Sequence, residues 1–125
     1  MNCCPNINLN RLNKIDFLKV KEILGKLYDN LSLMETKGKL VSNSKMMHYL
    51  LPDLVIPMDR QNTLNFFFGN TNESKEKFLD IIECTYYITQ EINLSKFLDD
   101  EWNQSVPKII DNAIICECSP RYRFK

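Results

Sequence analysis

The sequence predicts an all-α protein folded as a single compact domain of about six helices. Three observations carry that reading. Apolar residues recur at spacings of three and four over long stretches, as they do along one face of a helix. Helix-stopping residues, Gly38, Pro52, Gly69-Asn70 and Pro120, divide those stretches into pieces of ordinary helical length. No segment alternates apolar and polar residues in the manner of a strand, and nothing repeats internally. At 125 residues, 44% hydrophobic and 26% charged, the chain is long enough to bury one core and short for two.

Residues 1 to 13 carry five Asn and Pro5 and read as an irregular lead-in. Asp16 is then expected to cap a helix whose stripe is Phe17, Val20, Leu24, Leu27, Leu31 and Met34, ending near Lys37-Gly38. A short second helix, capped by Ser42 or Ser44, runs from Lys45 to Leu51, where Pro52 biases the preceding residue away from helical angles. Asp59 is placed to cap a third helix, Arg60 to Phe68, stopped by Gly69-Asn70. Of Phe66, Phe67 and Phe68, one or two are expected to reach the core. The fourth helix runs from about Glu73 to Glu91 on the stripe Phe78, Ile81, Ile82, Thr85, Ile88. Ser95 opens a short helix through Trp102, with Asp99-Asp100-Glu101 in solvent. Ser105 caps the last helix, with Pro107 in its first turn, where no hydrogen bond is lost. Residues 119 to 125 form a tail.

Sixteen basic and sixteen acidic residues cancel, so no global field draws a polyanion or a membrane surface. Residues 1 to 60 hold nine Lys/Arg against six Asp/Glu, and residues 61 to 125 seven against ten, a split of +3 and −3. The opening MNCCPNINLNRLNK lacks the apolar run of a secretory signal and no stretch is long enough to span a bilayer, so a cytoplasmic protein with no membrane partner is expected. Five cysteines cannot all pair internally. Cys3-Cys4 and Cys116-x-Cys118 lack the spacer of ordinary zinc knuckles, and a single histidine cannot build the usual catalytic zinc site, so neither metal nor cofactor is expected. Cys84 reads as a small packing residue.

The most specific local pattern is residues 42 to 60, SNSKMMHYLLPDLVIPMDR. Lys45 and His48 stand three apart on a helix, where side chains are neighbours, and Asp59-Arg60 follows an apolar run that can return toward them. Read as chemistry, Asp59 or His48 is a general base and Lys45 an electrophile or amine nucleophile, with Arg60 as a binding residue. Read as architecture, His48 and Asp59 form a hydrogen-bonded pair that locks the second helix to the cap of the third.

SKMMHYLLPDLVIPMDRQNTLNFF, with PKIIDNAII near the end, resembles a group of small uncharacterised prokaryotic helical proteins with a Ser-Lys-x-x-His, Leu-Pro-x-Leu, Pro-x-Asp-Arg pattern. More faintly it is similar to the helix-hairpin-helix DNA glycosylases. That resemblance implies a catalytic aspartate at Asp59 and a nucleophilic lysine at Lys45, with Ser42 and Ser44 near the places of the hairpin glycines.

Two further features stand out. Arg121-Tyr122-Arg123-Phe124-Lys125 interleaves charge with rings, as segments that stack on bases do. Asp111-Asn112, between isoleucine pairs, is expected to make a polar contact to a neighbouring helix or, alternatively, to a ligand. The chain has no phosphate-binding glycine loop and no nucleophile elbow. The sequence therefore points first to a small helical interaction module without catalysis, its partner another protein or a second copy. The alternative is a reduced glycosylase-like domain that binds or acts on nucleic acid.

Overall fold

The computed structural model describes residues 7–31 and 39–118. They form five α-helices with short 3-10 and π-helical turns between them, and no strand is present among the described residues. The Lys37-Gly38 helix end, Cys3, Cys4 and the 119 to 125 tail lie outside them.

Helix α1, Lys14–Asn30, is capped by Asn13, whose side chain accepts from the Asp16 amide at 2.8 Å; Asp16 is therefore in the first turn rather than at the cap. The helix stops at Leu31, which is extended. Helix α2, Leu40–Leu50, starts earlier than either serine. Ser42 and Ser44 sit inside it and donate back to the carbonyls of Lys39 and Val41.

The chain then crosses the core through Leu54, Val55, Ile56 and Met58, all essentially without exposure. Asp59 caps the next element as expected: its carboxylate accepts from the amides of Asn62 at 2.6 Å and Thr63 at 3.4 Å. That element is one π-helical turn, Arg60–Leu64, which runs directly into helix α3, Asn65–Phe68. Gly69 ends it at φ 70°, a left-handed angle that glycine adopts without steric cost. Phe67 and Phe68 pack against the core, while Phe66 stays about half exposed.

Helix α4, Lys75–Glu91, is capped by Ser74. It lies antiparallel to α1. Phe17 stacks on Tyr86 with centroids 4.0 Å apart, Lys21 pairs with Glu83, Tyr28 meets Phe78 and Asp29 pairs with Lys75, so position rises along one helix as it falls along the other. Burying each of these aromatic side chains contributes about 1.5–3 kcal/mol, which makes this pair the main seam of the core. Leu9, in a 3-10 turn Leu9–Arg11 within the lead-in, is fully buried, and its amide donates to the Asp53 carbonyl at 2.9 Å.

Only Leu94–Phe97 of the expected Ser95 to Trp102 helix is helical, a single 3-10 turn. The Asp99 carboxylate explains the stop: its Oδ1 accepts from the amides of Glu101, Trp102 and Asn103, each at 2.9 Å, offering the backbone a turn instead of a helix. Helix α5, Val106–Cys118, comes next, with Ser105 accepting from the Lys108 amide. Its Ile110 and Ile114 join the core, and it packs across the π-helical turn and the Leu9 turn.

Candidate functional site

The residues of the 42 to 60 stretch are present in one region but are not wired as expected. His48 Nδ1 lies 2.7 Å from the Val55 carbonyl, so that nitrogen carries the proton and donates. Ser44 Oγ accepts from the Met58 amide at 3.1 Å. These two bonds tie α2 to the buried connection that leads out of it. No hydrogen bond joins His48 to Asp59 among the described residues; α2 is tied instead through Ser44, Val55 and Met58. Asp59 serves the π-helical turn instead, Oδ2 also accepting from the Asn62 side chain at 3.2 Å.

Lys45 is exposed and borders a shallow depression with Ser42, Met46 and Tyr49, whereas His48 borders a different one. No ion pair within 4.0 Å joins Lys45 to Asp59 among the described residues. Arg60 is held by Glu73, Nη2 to Oε2 at 2.7 Å, and the Glu73 carboxyl is almost wholly buried. Glu73 Oε1 also accepts from the Val41 amide at 3.0 Å, so it caps α2 from 32 residues away.

The side chain that does meet this region is Asp111. It is 4% exposed, on α5, and Lys108 donates to it at 2.7 Å. Burial pushes its carboxyl above the usual carboxylate range; the bond and charge of Lys108 oppose that, the Asp59 charge adds to it and His48 opposes it. Asp59 and His48, singled out in one part of the sequence, thus each lie within electrostatic reach of Asp111, singled out in another. Asn112 donates to the Trp102 carbonyl at 2.8 Å and to Asn103 Oδ1 at 3.0 Å, a polar contact to a loop rather than to a helix.

Two concavities flank these groups. One, about 340 Å³, is of mixed polarity, and His48, Asp53, Glu101, Trp102, Ser105 and Lys108 are among the residues that line it. Of these only His48 was singled out from the sequence as a site residue; a tryptophan beside an acidic triplet was the available signal for the rest. The other, about 400 Å³, is an apolar groove between α4 and α5, with Ile88, Ile92, Ile109 and Ala113 along it, Phe66 at its rim and Glu117 at one end.

Among the described residues no group of three His, Cys, Asp or Glu side chains is placed to hold a metal, and no helix is long and apolar enough to cross a membrane. Cys84 is exposed rather than packed, and its thiol is pushed up by partial burial and by Asp80 and Glu83, which leaves it a poor nucleophile. Comparison with protein-family models, with curated proteins and with solved structures found no match to this chain.

Proposed function

We propose that the protein is a small, non-enzymatic helical interaction module that pairs with a second copy of itself through the groove between α4 and α5. The groove is the observation that carries the reading. Single exposed apolar residues are ordinary on any surface, but a concave lining of isoleucines from two helices beside a half-exposed phenylalanine is a contiguous apolar face of the kind that partners cover.

A second copy fits it for two reasons. The formal net charge is zero, so two chains meet without net repulsion. A large and a small side chain also share the lining: Phe66 is half exposed, and Ala113 is short and exposed. A twofold axis beside them seats each Phe66 in the other copy's groove, the arrangement in which one patch serves both partners. Among the described residues that line the groove Glu117 is the one that carries a charge, so pairing there takes little charge out of water. The non-enzymatic part of the reading is supported by how the candidate catalytic groups are used. Asp59 is occupied by the amides it caps, and Arg60 by Glu73.

Sedimentation equilibrium of the parent, Ile92→Glu and Ala113→Arg tests the proposal, with Tyr49→Glu, a change at an exposed site on α2, as control. The parent and the control are expected to be dimeric, the two groove variants monomeric with unchanged helical circular dichroism. A parent that stays monomeric up to about 1 mM, where association is worth only about 4 kcal/mol, overturns it.

A further inference from the structure

We infer that the cavity between His48 and Trp102 is a binding site for a small organic cation, an ammonium-bearing molecule whose charge is met by Asp53 and Glu101 and whose apolar flank lies on the indole of Trp102. The inference is independent of self-association and rests on three observations.

The first is how Trp102 is presented. It is 74% exposed, yet its loop is fastened twice, by the three amides that donate to Asp99 Oδ1 and by the Asn112 side chain donating to the Trp102 carbonyl. Ordering a loop costs conformational entropy, and an indole left in solvent returns little of it by burial. An exposed ring lining a cavity and carried on a fastened backbone is a partly preorganised contact surface.

The second is charge. Asp53 and Glu101 line the cavity, and Asp99 and Asp100 immediately precede Glu101 in the chain. Among the described lining residues the one cationic side chain is Lys108, and its Nζ is already 2.7 Å from the buried Asp111 carboxylate. An anion entering here finds the Lys108 charge already taken, whereas a cation finds two carboxylates whose ion pairs are not made elsewhere among the described residues.

The third is hydrogen-bonding polarity. His48 spends Nδ1–H on the Val55 carbonyl, so whenever the ring is neutral its acceptor is Nε2. Carboxylates, an acceptor nitrogen and a π-face together complement a donor-bearing cation, the pairing that aromatic rings and carboxylates make with ammonium groups. The volume, about 340 Å³, is at the lower end of small-molecule sites and suits a compact ligand.

Trp102 is the chain's sole tryptophan, so its emission reports the site directly. The full chain would be titrated with choline, with the neutral carbon isostere that has tert-butyl in place of trimethylammonium, and with acetate. A saturable change is expected with choline and not with the isostere or acetate. Calorimetry then reads the variants: Trp102→Leu weakens choline binding by roughly 2- to 30-fold, and Glu101→Gln combined with Asp53→Asn weakens it further while leaving the helical circular dichroism unchanged. No saturable response to choline, an equal response to the isostere, or a response to acetate alone each overturns the inference.

Discussion

Removing one carboxylate, Glu73, should loosen the fold more than any surface charge change, because it completes α2 from outside the helix. The residue preceding α2, Lys39, supplies no side-chain cap, so the Val41 amide depends on Glu73 Oε1 at 3.0 Å. Losing the acceptor of a first-turn amide costs about 0.5–2 kcal/mol. The Arg60 pair adds less despite its 2.7 Å contact: the Arg60 side chain is 59% exposed, and solvent screening limits such a pair to roughly 0.2–1 kcal/mol. Glu73→Ala is therefore expected to destabilise by about 1–3 kcal/mol, read as a shift in urea midpoint at constant slope. Arg60→Ala should cost less than Glu73→Ala, because the Val41 bond survives it. A Glu73→Ala protein within about 0.5 kcal/mol of the parent, the range of an ordinary surface substitution, would refute the idea that α2 is capped in trans.

Gly25→Ala should stabilise the protein by about 0.5–1 kcal/mol through helix propensity, because an added Cβ meets Lys75 Cε at 3.5 Å and Leu79 at 3.6 Å, ordinary contact distances; a lowered melting temperature would mean that the α1–α4 seam is tighter than that. Asp111 gives a pH signature. Its carboxyl is raised by burial, so the native state holds its proton to higher pH than the unfolded chain does, and stability declines as pH rises from the ordinary aspartate range through the raised value. Melting curves across that window should show Asp111→Asn gaining on the parent with rising pH, and a constant difference would contradict the sign. Asp99 is held below its usual value chiefly by the Asn103 and Glu101 amides, with the Trp102 amide adding to them. Asp99→Ala should therefore free the loop and lower the fluorescence anisotropy of Trp102, whereas unchanged anisotropy would show that the Asn112 bonds alone hold the loop.

The sequence made the long elements legible because they are local. The stripes of α1, α4 and α5 need only their own 3.6-residue period, and the caps at Asp59, Ser105 and Gly69 act within four residues of themselves. The start of α2 was not legible, since its cap arrives from Glu73 across a separation of 32 residues and leaves Ser42 and Ser44 as interior residues. The short helix through Trp102 was overextended because Asp99 looks compatible with a helix until its side chain takes three amides. The candidate site divides in the same way. His48, Asp59 and Asp111 were each visible as unusual residues, but that Asp111, and not Lys45, approaches the other two depends on how α5 lies across the π-helical turn, which no local pattern encodes. The α4–α5 groove was invisible for the same reason, although Phe66 to Phe68 already signalled one ring too many for the core.

The most direct measurement is an isotope-filtered NOE experiment on a mixture of labelled and unlabelled chains. Pairing through the groove predicts contacts from the Phe66 ring of one copy to the Ile92 and Ala113 methyls of the other. An absence of contacts between copies, or contacts only at other exposed apolar residues such as Ile15 and Ile23 of α1, would contradict it.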